Sequence, residues 1–306
     1  MKDTNKAILY AAIAVLSWST VATMFKVALR NFTHFEMLLI ASFTALCIFS
    51  VTMTIQRKWA LLSSLPSRQW GKFALIGLLN PVAYYLVLFK AYNLLPAQVA
   101  QPINYCWPIV LLVLLAIFAH QQIPALKYIG MALSLTGVVF ISLGGTGLQG
   151  EGLPVGGLLL ALLSAFLWAS YWIVNNMNKH IDSTVTLFLS FLFGSMYLLI
   201  ASFFVGVNLH SIPGVLSSMY VGAFEMGIPF IFFGLAIRKT DNSALINQMC
   251  YLSPFLSLFF IHLVLGEHIY ITTYIGLFLI VFGIVFNEYI IKYFQRKRGP
   301  INTYNT

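Results

Sequence analysis

Residues 101–108 read Gln101-Pro102-Ile103-Asn104-Tyr105-Cys106-Trp107-Pro108, and 146 residues later the chain reads Asn247-Gln248-Met249-Cys250-Tyr251-Leu252-Ser253-Pro254. The shift sets Tyr105 on Tyr251, Pro108 on Pro254 and Gln101 opposite Asn247. Carried onward, it sets Tyr128-Ile129-Gly130 on Tyr274-Ile275-Gly276 and Gly137 on Gly283. Carried backward, a shift of 145 pairs Gly77 with Gly222 and Ala91 with Ala236, and a shift of 150 pairs Trp18 with Trp168. Loops of unequal length between two copies produce such drifting offsets. An internal repeat is therefore expected, and it decides how the rest of the chain is divided.

Both copies lie in long apolar runs. Of 306 residues, 60% are hydrophobic and 8% are charged, against roughly 25% charged in an ordinary soluble domain. The mean hydropathy is +0.88. So few charges cannot cover a water-facing surface of this size, which excludes a soluble enzyme, a disordered chain and a secreted disulfide scaffold. Apolar runs fall at about 7–28, 35–55, 71–92, 97–119, 125–143, 154–175, 184–206, 213–236, 243–264 and 270–291, each near the ~20 residues that a membrane-crossing helix needs. They are continuous rather than alternating, which argues for helices and against a membrane barrel. The expected fold is an all-α polytopic membrane protein with ten transmembrane helices in two five-helix repeats, residues 1–148 and 149–306. Five is odd, so the second copy enters the membrane in the opposite sense. Inverted repeats are a feature of secondary transporters, whose sites lie near the midplane between the copies.

Charge placement supports the same count. Of the 17 basic residues, Lys26 and Lys90 fall inside or at the edge of runs and Arg30 lies in an odd-numbered connection. The other fourteen, from Lys2 to Arg298, all fall on the opposite side. Basic residues collect on the cytoplasmic face, so both termini are expected in the cytoplasm, with a bacterial inner membrane as the location. The run that starts at Ala7 is too long for a signal peptide.

Polar residues inside the runs are the candidate site. Glu225 falls near the middle of the eighth run. An acid there costs ~2.5 kcal/mol or more on insertion scales, and such acids face a cavity or a partner. It is expected either to hold a protonated amine or to carry a coupling proton, and the 145 shift sets it opposite Asn80. Gln101, Tyr105 and Pro108 share one helical face by their spacing, as do Asn247, Tyr251 and Pro254. Gln98 and Gln248 add polarity nearby. Prolines free backbone carbonyls that need a partner or water, so Pro81, Pro108, Pro229 and Pro254 are expected hinges. Tyr84, Tyr85, Trp107, Trp168 and Trp172 supply aromatic walls able to hold a cation. The plainer alternative for all of them is packing between helices.

Trp18-Ser19, Trp168, the run Asn104 to Pro108, Leu252-Ser253-Pro254, Gly266-Glu267, Gly276 and Gly283 together resemble the drug/metabolite transporter superfamily, of the ten-helix EamA type. The resemblance covers nearly the whole chain, and the fourth-run motif is similar to the aromatic amino-acid exporter branch. For that branch it implies a cavity lined by Tyr84, Tyr105, Trp107 and Trp168. Two features depart from the pattern: Gln121-Gln122 stands where the second copy has Gly266-Glu267, and Glu225 is an acid foreign to that branch.

No GxxxxGK[ST] run and no HExxH occurs, so ATP, metals and cofactors are not expected. The three cysteines Cys47, Cys106 and Cys250 have no ligand spacing. The expected function is a secondary transporter, not an enzyme, exporting small metabolites such as amino acids by alternating access. Substrate contacts are expected at Tyr84, Gln101, Tyr105, Trp107, Trp168, Asn247, Gln248 and Tyr251, with Glu225 and Asn80 for a substrate amine or a coupling ion. The partners are a small molecule, the lipid bilayer and protons, with no nucleic acid. A lipid flippase or a quaternary-amine exporter is the alternative.

Overall fold

The computed structural model describes residues 3–118, 125–144, 153–178, 180–240, 245–246 and 249–298. The described chain is helical throughout. In order, the elements are α1 (Thr4–Leu29), α2 (His34–Ile55), α3 (Ser67–Leu94), α4 (Ala97–Phe118) and α5 (Ala125–Gly144). They continue with α6 (Val155–Met177), α7 (Ser183–Val205), α8 (Ile212–Lys239), α9 (Leu252–Leu265) and α10 (Ile271–Arg298). A single turn, Ala60–Ser63, joins α2 to α3.

Local chemistry starts several of these helices. Thr33 and Glu36 form a reciprocal capping box at α2, which satisfies two backbone donors that a helix start leaves unpaired. Asp3 caps α1 by accepting from Lys6 N, and Asp182 caps α7 by accepting from Thr184 N and Val185 N.

Among the described residues, seven helices are long and apolar enough to cross a membrane: α1 to α4, Val155–Asn175 within α6, α7 and α8. Leu126–Ile141, Leu252–Leu265 and Ile271–Asn287 are shorter apolar helices. The outward surface is apolar, with Phe203 and Phe204 80% and 85% exposed on α7. Such a surface is stable against hydrocarbon and not against water. The chain is an integral membrane protein.

Among the described residues, three helices are interrupted, each next to a proline. Within α3, residues Leu78–Ala83 form a wide π-helical turn in which Asn80 adopts extended backbone (φ −143°, ψ 116°) ahead of Pro81. Pro disfavours helical backbone in the residue before it. Within α8, Gly222–Gly227 make a second π-helical turn, and the helix restarts with Pro229 in its first turn. A proline is tolerated there because that N–H has no helical partner anyway. The helical segment Ala97–Asn104 of α4 ends in a turn at Tyr105-Cys106 and resumes at Trp107 with Pro108 next. The run expected at 243–264 behaves alike: the chain turns at Cys250-Tyr251, and α9 starts at Leu252 with Pro254 in its first turn. Both stretches therefore carry a turn, at Tyr105-Cys106 and at Cys250-Tyr251, followed by a helix start with a proline in its first turn.

Helix α1 packs on α8 and α9, α6 on α3 and α4, α2 on α7 and on the break in α8, and α7 on the break in α3. The closest seam is α5 against α10. A Cβ on Gly137 would lie 2.4 Å from the Gly276 carbonyl oxygen, and one on Gly276 2.6 Å from that of Gly137. Gly130 and Gly283 stand in the same reciprocal relation at 2.5 and 2.3 Å. Ser134 Oγ donates to Ile280 O at 3.1 Å in between. Small residues that let backbones touch replace the hydrophobic drive that is missing between helices in lipid.

Candidate functional site

The turn in α4, the break in α8 and the turn at Cys250-Tyr251 open on a cavity of about 500 Å³. Its walls come from α1, α3, α4, α6 and α8, with Lys127 of α5, Tyr251, and Asn287 of α10.

Glu225 lies in the break of α8 and opens on this cavity, half-buried. The break exists because α8 meets α2 closely: a Cβ on Gly222 would sit 2.3 Å from Ala41 O. The wide turn also turns a backbone carbonyl outward. Glu225 O is captured by Trp18 Nε1–H of α1 at 3.2 Å, as an interrupted helix inside a membrane requires. The carboxylate Oε1 accepts from the Tyr85 hydroxyl of α3 at 3.2 Å. One acid is thus held from both sides by α1 and α3.

Aromatic rings build the walls. Tyr84 stacks on Trp168 with ring centres 4.6 Å apart at 29°, and Trp107 stacks on Trp172 at 6.0 Å and 14°. Phe230 closes against both Trp168 and Trp18. The Tyr84 hydroxyl donates to Asn104 Oδ1 at 3.4 Å, and Asn104 Nδ2 donates to Ser164 Oγ at 2.9 Å. This chain fixes the break of α4 to α3 and α6. Gln101, buried in the wall, leaves Oε1 without a hydrogen bond.

Of the residues expected from sequence, Tyr84, Gln101, Tyr105, Trp107, Pro108, Trp168, Glu225 and Tyr251 all line this cavity. Asn247 and Gln248 lie outside the described residues. Asn80 is not in the wall. It is 1% exposed inside the α3 break, where no hydrogen bond of good geometry reaches its amide. Pro81 follows it and packs so closely on α7 that a Cβ on Gly194 would lie 2.5 Å from the proline ring. Asn80 is therefore a buried polar group inside the α3 break, and the hydroxyl on Glu225 is that of Tyr85. Pro81, Pro229 and Pro254 sit at helix breaks or restarts and contribute no wall.

The two ends of the cavity differ. At one end, Lys26 Nζ donates to the carbonyls of Tyr92 and Leu95 at 2.8 and 2.9 Å, which ends α3. Glu267 Oε1 accepts from Ala97 N at 3.1 Å and so caps the start of α4. Gln98 Nε2 donates to His268 O at 2.8 Å, and Gln98 Oε1 accepts from Thr273 Oγ1 at 3.0 Å. Phe25 packs edge-on to Tyr92 beneath them. That end is closed by hydrogen bonds between the α3–α4 corner, α1 and the α9–α10 connection. At the other end, a second cavity of about 770 Å³ shares Leu111 and Trp172 with the first and reaches Asn178, Ser183 and Arg238. Beside it Lys58 Nζ donates to both carboxylate oxygens of Asp182 at 2.8 Å, joining α2 to α7. Burial acts to raise the Asp182 carboxyl, but the Lys58 ammonium and the Thr184 and Val185 backbone N–H groups hold it below its usual range.

Sequence reading does not single out Lys127 and Asn287 for the cavity. Lys127 counts there as one of many basic residues on one face, and Asn287 as an amide in an apolar run. Trp18 enters there only as the repeat partner of Trp168 and as a mark of resemblance.

Comparison with known proteins places this geometry. The model of the EamA-like transporter family matches the chain twice, over residues 5–143 and 155–289. The uncharacterised transporter YvbV of Bacillus subtilis (strain 168) is 26% identical over 219 residues, 70% of each chain. A protein crystal structure superposes with a TM-score of 0.68 over 95% of this chain and 99% of that one, at 19% identity, which speaks to the fold.

Proposed function

This chain belongs to the EamA-like transporter family, and from that premise we propose that it is a secondary transporter that exports small amphipathic metabolites, amino acids or related compounds. The observation that carries the reading is a central aromatic cavity with one acid, Glu225, held by Tyr85 in a helix break. Aromatic faces attract cations, and an intramembrane carboxylate supplies the charge to bind an amine or to carry a proton. Tyr84, Gln101, Tyr105, Trp107, Trp168 and Tyr251 contact the substrate.

The chain crosses the membrane ten times as two inverted five-helix repeats, residues 1–148 and 149–306. Support comes from the double family match, from the paired helix breaks, and from helix contacts that recur five elements on, such as α1 on α8 and α6 on α3. Both termini lie in the cytoplasm of a bacterial inner membrane, supported by the one-sided basic residues. In this orientation the closed end at Lys26 and Glu267 faces outward, and the vestibule at Arg238 opens to the cytoplasm. Exchange of the two ends is the transport cycle.

The test is reconstitution in proteoliposomes with labelled tryptophan, tryptamine, a quaternary amine and a labelled phospholipid, with and without a pH gradient. Accumulation of a soluble solute is expected. Movement of phospholipid without any solute would overturn the proposal in favour of a flippase.

A further inference from the structure

Among the described residues that line the central cavity, Glu225 is the one acid and Lys127 the one base. They stand at different depths. Glu225 is at the middle of α8, whereas Lys127 is in the first turn of α5. Asn287 of α10 lies across from Lys127's next turn, since a Cβ on Gly130 would come within 2.3 Å of Asn287 Oδ1. Glycine at 130 thus lets the Asn287 side chain lie against the α5 backbone beside Lys127.

Asn287 is 6% exposed, and neither its Nδ2 nor its Oδ1 has a hydrogen-bond partner. Trp172 Nε1, in the same cavity wall, is also buried without an acceptor. A buried amide left unpaired is destabilising, and such groups in native proteins mark a ligand or an ordered water. An ammonium, an amide N–H and an indole N–H on one cavity offer donors to an anion. Lys26, by contrast, is occupied by two backbone carbonyls at the closed end.

We infer that Lys127 and Asn287, with Trp172 in the same cavity wall, form a carboxylate subsite at the vestibule end of the cavity, apart from the Glu225 end. Resting on the transport reading above, this narrows the substrate class to small molecules that carry a carboxylate on an apolar or aromatic body. A charge-assisted hydrogen bond from Lys127 selects the acid group, and the stacked rings between the two ends take the body.

Two probes separate the subsite from the amine reading. Indole-3-acetate carries a carboxylate and no amine, and tryptamine carries the reverse. Titrated into the purified full-length protein by calorimetry, indole-3-acetate is expected to bind the wild type. Lys127→Met and Asn287→Ala should each weaken it about tenfold, and Lys127→Arg should restore most of the affinity. Thermal melts of each variant report whether it is folded. Unchanged affinity in folded Lys127→Met overturns the subsite, as does a wild type that binds neither indole-3-acetate nor phenylacetate. Equal weakening by Lys72→Met, on the exposed surface of α3, marks general charge attraction and also overturns it. Tryptamine that binds equally to wild type and Glu225→Gln overturns the amine reading alone and leaves the carboxylate result standing.

Discussion

The breaks in α3 and α8 occupy matching positions in the two halves of the sequence and do different things. Each is entered through a matched glycine against a neighbouring backbone. A Cβ on Gly77 would lie 2.6 Å from Ser190 O of α7, and one on Gly222 would lie 2.3 Å from Ala41 O of α2. The first break holds a neutral amide, Asn80, which is buried, next to Pro81, which packs on α7. The second holds Glu225, which opens on the cavity and draws in Trp18 and Tyr85. The backbone device is shared and the chemistry is not. The same backbone arrangement thus occurs in both halves of the chain, and one side chain per break decides whether the break is neutral or ionisable.

The sharpest way to test this difference is to remove its charge. In Glu225→Gln, which keeps shape and hydrogen bonding, proteoliposome transport is expected to fall by roughly a hundredfold or to lose its pH dependence. The same activity at every pH would reduce the α8 break to the structural role of its counterpart. The glycines come next. Gly222→Val and Gly77→Val should each lower unfolding stability by ~1–3 kcal/mol through overpacking, read as a drop in melting temperature in detergent. Similar losses at both sites mark a shared device, and a loss at only one breaks the equivalence.

Smaller effects sharpen the comparison further. Tyr85→Phe removes the one hydroxyl that α3 offers Glu225, and a hydrogen bond to a charged group is worth ~1.5–3 kcal/mol. About a tenfold fall in transport efficiency is expected, with the pH profile displaced, whereas Asn80→Ala should leave the profile in place. The smallest effect concerns Lys58 and Asp182, which tie α2, packed on the α8 break, to α7, packed on the α3 break. The Asp182 carboxyl is held below its usual range, so its stabilisation is full above the unfolded carboxylate range and is lost as pH falls through the folded value. Lys58→Met should cost under about 1 kcal/mol near neutrality and nothing at low pH, measured by melts across that range.

Much of the cavity was legible before any coordinates. Tyr84, Tyr105, Trp107, Trp168 and Tyr251 reach its wall because polar and aromatic residues beside prolines in apolar runs have few stable places to go. Asn80 falls outside the wall, and the 145 shift does not show this, because it relates positions in sequence and not the direction a residue faces in a broken helix. Its neighbour Pro81 packs on Gly194 of α7. Lys127 was hidden because a lysine at a helix end looks the same whether it points to lipid headgroups or into a cavity.

The sequence by itself determined that the chain lives in a membrane, that its halves correspond, and that Glu225 is the acid to explain. Those conclusions rest on composition, spacing and the cost of charge in hydrocarbon, which act residue by residue. The tertiary structure decided which polar groups meet or share a wall: Tyr85 rather than Asn80 on Glu225, Lys26 on the α3 carbonyls, Lys127 and Asn287 on one cavity. Such pairings depend on the rotation of each helix about its axis, which packing against distant helices sets.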